Sequence, residues 1–274
     1  MQTGTTAIGG NLILSGTVST TTVAGLSITG NLNTGNGTTL TAAGFAFTVT
    51  GTTTIGGGTS GTLNISSATG AKLFTGLVTI AAGANWNNSG NSPLEFRGGI
   101  TTTPAFTGGS GEHTFTTNAQ ALTGTFTIPS VTVTTIALTN NNSLTVATAL
   151  AGTGGLTQSS GATLNIGGTC TIATHTATAT DNLVNYDGGV QTVHASTYYN
   201  LTLSGTGAKT FPAGTTTVNN ILSMEGTATA TLTGTLTYGG SATLQYKGSG
   251  AQTTGGEFIT PFTGSGGVKI NNTK

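Results

Sequence analysis

The sequence predicts an all-β chain whose short strands stack as a parallel β-helix. Three observations carry that expectation: a composition rich in Thr and Gly and nearly free of charge, period-two alternation in many short runs, and a long imperfect repeat. Of 274 residues only 12 are charged, 46 are Gly and 67 are Thr, and the net formal charge is zero. A solvated disordered chain needs high net charge and few β-branched residues, so the composition argues for strands. Thr and Gly are poor helix formers, and no stretch sustains apolar residues at three- and four-residue intervals, which excludes helix over most of the length.

The strand candidates follow one another at short intervals. Apolar and small polar residues alternate at Leu12/Leu14, Leu26/Ile28, Phe45/Phe47/Val49, Leu63/Ile65, Phe126/Ile128, Val131/Val133, Ile136/Leu138, Leu144/Val146, Leu164/Ile166, Leu201/Leu203 and Leu244/Tyr246. Such alternation buries one face and wets the other, with Thr or Ser mostly outside. Between the runs stand turn formers, as at Gly9–Asn11, Gly56–Gly58 and Asn140–Asn142.

The repeat sets the architecture. TYYNLTLSGTGAKTF (Thr197 to Phe211) has a copy in TLNISSATGAKLF (Thr62 to Phe74) and a weaker one in EFITPFTGSGGVKI (Glu257 to Ile270). Gln120, Gln191 and Gln252 recur in similar short contexts, and Lys209 and Lys269 follow the last two at nearly equal offsets. Val131 to Thr139 stands where a copy without its Lys would fall. A module of about 60 to 70 residues is too long for one solenoid coil, so each is read as about three coils. The modules are clearest over 118–274, within one continuous solenoid spanning 1–274. A β-sandwich array is the alternative, with Asn36-Gly37 as a hairpin turn. The long repeat, the small corner residues and the stacked Thr and Asn favour parallel coils. At about 20 to 24 residues per coil, they number about 12 and stack to roughly 60 Å.

The strings GANWNNSGNSPLEFRGGI (Gly83 to Ile100), NAQALTGTFTIPSVTVT (Asn118 to Thr134), SLTVATALAGTGGLTQSSGATLNIGG (Ser143 to Gly168) and TYYNLTLSGTGAKTFPAGTTTV (Thr197 to Val218) resemble the β-strand repeats of very large secreted bacterial surface proteins. Those proteins are similar in style to filamentous adhesins and autotransporter passengers. The resemblance covers most of residues 60 to 274. It implies a right-handed parallel β-helix, export, and a stalk, fibre or adhesive role, and it carries over no catalytic residue.

Chemistry has few candidates. His175, Asp181, Asp187 and His194 lie close together in sequence, and clustered carboxylates on a β-helix can bind metal or act as acid and base on polysaccharides. Against that enzyme reading, Glu95, Glu112, Glu225 and Glu257 are scattered singly. Glu95 and Arg97, two apart on one strand, read as a surface ion pair or cross-coil contact. The recurring Lys72 and Lys209 read as surface protection or as ligands of corner carbonyls, and two isolated cations make no nucleic-acid footprint. Cys170 is single and reads as a small buried side chain. Three His without Cys partners give no zinc signature. Trp86 reads as an aromatic cap over the core, and adjacent Tyr198 and Tyr199 point to opposite faces of a strand. The six Asn-x-Ser/Thr sequons, at Asn36, Asn64, Asn87, Asn141, Asn200 and Asn271, are expected by chance at this composition.

Thr-x-Thr ladders on a flat sheet give a further alternative, an ice-binding face, with Thr125 to Thr127, Thr132 to Thr134 and Thr231 to Thr237 as candidates. The start MQTGTTAIGG has neither the basic region nor the apolar core of a signal peptide, and no run of 18 apolar residues spans a membrane. With no cap signal at either terminus, the stretch reads as a piece of a longer array or as a subunit that polymerises head to tail. The expectation is therefore a non-enzymatic extracellular structural protein: a cell-surface stalk, adhesin shaft or filament. It carries no catalytic, cofactor or metal residues. Its first partner is itself and a cell-surface or polysaccharide ligand its second, without nucleic acid or a membrane span.

Overall fold

The computed structural model of the chain describes residues 4–248 and 250–273. Among the described residues every element is a β-strand, and the strands stack in parallel as a β-solenoid of about 13 turns. The contacts divide it into two compact units, residues 1–139 and 140–274.

In the first unit a typical coil has three short strands, for example Phe47–Val49, Thr53–Ile55 and Thr62–Ile65. Each pairs with its counterpart one coil on: Phe47 with Lys72, Thr53 with Val78, Leu63 with Trp86. Alternation then puts every second side chain inside, where like residues stack on like. Ile28, Val49, Phe74, Phe96, Phe115 and Val133 form one continuous inner file. The Phe74, Phe96 and Phe115 rings stack at centroid distances of 5.4 and 5.5 Å, close to the strand spacing, so the aromatic stack and the backbone ladder share one repeat.

The second unit follows the same rule. Leu144, Leu164, Val184, Leu201, Leu222 and Leu244 make one inner file; Val146, Ile166, Tyr186, Leu203, Met224 and Tyr246 make its neighbour. Coil length varies. The coil that brings Asn200 over Leu183 is short, whereas the one that brings Lys72 over Phe47 is longer by nearly half.

The sandwich alternative is overturned, because the described strand pairs are parallel. Asn36-Gly37 makes no hairpin; the Asn36 carboxamide oxygen accepts the amides of Gly57, Thr59 and Ser60 on the following coil. The expected stacking of Asn and Thr on like residues is present. Asn185 donates to Asn165 at 3.3 Å, Asn220 to Asn200 at 2.8 Å, and the Thr217 and Thr237 hydroxyls lie 2.8 Å apart.

Candidate functional site

The repeated residues meet at the corners, where the chain leaves one strand and its carbonyls lose their ladder partners. Lys72 is 2 % exposed and Lys209 fully buried. The Lys72 ammonium donates to the carbonyls of Phe45, Thr69 and Gly70 at 2.9, 2.8 and 2.7 Å. Lys209 donates to Gly188, Gly189 and Thr206 and to the Gln191 side-chain oxygen. The two sites superpose in sequence logic. Each Lys binds the residue three before itself and the residue two before its register partner on the previous coil. In both, the glycine two before the Lys has φ +73°. A Cβ on Gly70 would collide with the Phe45 carbonyl carbon, so only glycine lets the coils approach there. Burial holds both ammonium groups below the ordinary lysine value; at Lys209 the Asp187 charge opposes this.

The glutamines do the neutral version of the same work. Gln120 donates to the Phe96 carbonyl and accepts from the Gly99 amide, and Gln191 donates to the Ile166 and Gly168 carbonyls and accepts from the Gly188 amide. Gln252 donates to the Met224 carbonyl at 2.8 Å. Phe96, Ile166 and Met224 end or nearly end strands of the previous coil, and Gly168 lies just before the next one. The third repeat differs. Lys269 is exposed on its strand, pairs with Gln245 rather than with Gln252, and makes no corner. Its offset from Gln252 nearly equals that of Lys209 from Gln191 by a coincidence of spacing.

The acid–base candidates divide. His175 and His194 come together, ring centroids 6.0 Å apart and T-shaped, inside the second unit. Asp181 and Asp187 are exposed and flank the strand Leu183–Tyr186, away from that interior. Among the described residues no group of three His, Cys, Asp or Glu is placed to hold a metal. Burial lowers the His175 imidazole to about 3, with His194 adding to the shift.

Glu95 and Arg97 form the expected pair at 2.7 Å, and Thr116 on the next coil donates to the same carboxylate oxygen at 2.8 Å. Burial alone would raise the Glu95 carboxyl; the hydrogen bonds from Arg97 and Thr116 and the Arg97 charge bring it below its ordinary value. Trp86 is a core member rather than a cap, packed against Phe74, Phe96 and Phe106. Tyr198 is fully buried and Tyr199 is half-buried, as alternation requires. Burial pushes the Cys170 thiol up, while hydrogen bonds with Tyr186 and Ile172 oppose it. Glu257 is buried at a site with no signal in the sequence. Its carboxylate accepts from the Tyr246 hydroxyl and its carbonyl from the Tyr238 hydroxyl, both at 2.7 Å.

The Thr-x-Thr candidates do not form one face. Thr132 donates to Glu112, Thr125 and Thr127 lie on a strand that pairs through Phe106 and Thr107, and Thr235 and Thr237 pair with Thr215 and Thr217 on a strand off the main path of its sheet. A regular array stands elsewhere, on the four strands Ser19–Thr21, Thr39–Ala42, Thr62–Ile65 and Asn85–Asn87. Ser19, Thr39, Thr62 and Asn85 form one file and Thr21, Thr41, Asn64 and Asn87 the other.

The fold and these corners define a β-solenoid whose repeated polar residues hold coil to coil. The chain matches no known family model, no characterised protein and no solved structure.

Proposed function

We propose that the chain is a non-enzymatic structural segment of an extracellular repeat protein, forming a cell-surface stalk, adhesin shaft or self-assembling filament. One observation supports this reading above the others: the residues that recur through the sequence, Lys72 and Lys209 with Gln120 and Gln191, are all spent on corner carbonyls. The repeat serves stacking. Two of the carboxylates are likewise engaged in cross-coil or local bonds, Glu95 with Thr116 and Glu225 with Ser223. A parallel stack offers its strand edges to further parallel strands, and another copy of the chain supplies the matching surface. Sedimentation velocity over a hundredfold concentration range tests this: association that grows with concentration supports self-assembly, and a concentration-independent monomer opposes it. Release of reducing ends from acidic polysaccharides would count for the enzyme reading.

The double file on the four strands of the first unit favours a second reading, ice binding. Its rows repeat at the strand spacing of about 4.8 Å, with outward residues about 6.6 Å apart along each strand. Thermal hysteresis that disappears in Thr41→Lys would support it, and its absence from the parent protein would end it.

A further inference from the structure

We propose that His175 and His194 form a binding site for a soft monovalent cation, Cu(I), held by one ring nitrogen from each inside the second unit. His175 is 4 % exposed, and neither of its ring nitrogens meets a hydrogen-bond partner. A neutral imidazole carries one N–H and one lone pair, so both are withdrawn from water without compensation. His194 is held differently. Its Nε2 lies 2.8 Å from the Ile172 carbonyl oxygen. A carbonyl only accepts, so Nε2 carries the proton and Nδ1 the lone pair, and Nδ1 is buried without a partner. A histidine that donates its far nitrogen to a backbone carbonyl is already fixed in the tautomer a metal requires.

The spacing fits. With a metal–nitrogen bond of about 2.0 Å, each ring centroid lies about 3.2 Å from the ion, so two rings stand roughly 5.2 Å apart at a tetrahedral angle and roughly 6.4 Å apart in a line. The observed 6.0 Å falls nearer the linear limit.

The surroundings select the ion. No third His, Cys, Asp or Glu joins the pair among the described residues, and the Tyr198 ring packs against His175 at 5.7 Å. Two neutral donors without a carboxylate offset little of a divalent charge and leave Zn(II) or Ca(II) short of ligands. Imidazole suits copper, and the monovalent d¹⁰ ion accepts two ligands in a near-linear arrangement.

The test is an anaerobic titration of the purified protein with Cu(I) against a bicinchoninate competitor, followed by X-ray absorption on the loaded protein. The proposal expects one copper per chain with two nitrogen scatterers and no sulfur, and affinity lowered more than about tenfold in both His175→Phe and His194→Gln. His113→Phe, which removes a buried histidine from the other unit, leaves binding unchanged. Failure to compete with bicinchoninate, or a sulfur scatterer from Cys170 or a methionine, overturns it. The absorption measurement needs only the parent protein, so a variant that fails to fold leaves the proposal open to refutation.

Discussion

The acid sensitivity of the first unit can be worked from one side chain. His113 is fully buried between the Phe96 and Phe106 rings, at centroid distances of 5.9 and 6.0 Å. Its Nδ1 donates to the Gly111 carbonyl at 3.0 Å, while Nε2 has no partner. Burial lowers its pKa from 6.5 to about 4, against the opposing Gly111 hydrogen bond. The unfolded chain therefore binds a proton at a pH where the folded chain does not. The stabilising contribution is complete above about pH 7.5, declines as the pH falls through 6.5, and is lost below about 4. At about 1.4 kcal/mol per unit, the full loss is about 3 kcal/mol, of which about 2 kcal/mol has gone by pH 5. The parent and His113→Phe share every other titratable group, so the difference between them from pH 7.5 to 5 isolates His113. Urea unfolding of the parent and of His113→Phe at both pH values measures the difference, with Phe filling the same pocket between the two rings. The parent should lose about 2 kcal/mol more than the variant over the interval. Equal losses would mean that His113 is solvated or charged in the folded state, and the reasoning fails.

Other outcomes follow from the corners. Lys209→Met removes the ammonium donor from three carbonyls and from the Gln191 oxygen, which keeps only the Gly188 amide, and should cost about 2–5 kcal/mol, whereas Lys269→Met, on an exposed side chain, should stay within about 0.5 kcal/mol by the same urea assay. Gly161→Ala meets open space and incurs only the left-handed backbone cost of about 1–2 kcal/mol; Gly70→Ala incurs that cost and must also move the Phe45 carbonyl, so its thermal midpoint should fall clearly further. Removing the charge of the half-exposed Glu95–Arg97 pair with Glu95→Gln, whose side-chain oxygen still accepts from Thr116, should change stability by less than about 1 kcal/mol, and a larger loss would show that the charge carries more than a surface pair does.

Much of the fold was legible because its two main signals are local. Alternation at Phe47/Val49 and Leu164/Ile166 states which side faces in, and the Thr and Gly content removes helix from contention. The corner role of Lys72 and Lys209 was legible as one of two readings, since a cation recurring beside a glycine turn has few other uses. What was hidden depends on which residues sit one coil apart. Coil length changes from the short step between Leu183 and Asn200 to the long one between Phe47 and Lys72, so no fixed period lines up Ser19, Thr39, Thr62 and Asn85. The same variation made Lys269 resemble Lys209 in sequence while the backbone set it on an exposed strand. The His175–His194 pairing was half visible: proximity in sequence suggested a cluster, but the strand between them turns Asp181 and Asp187 outward and leaves the rings inside.

The central claim is a stack of parallel coils, each held to the last by its own corners, and pulling on a single molecule tests it most directly. With handles at Gly4 and Thr273, a stack whose coils contact only their neighbours should peel coil by coil. Each step should release one coil of roughly 20 residues, or roughly 65 Å of chain, and Lys209→Met should lower the force of one of these steps. Release of either whole unit in one event, with no intermediate steps, would contradict the account.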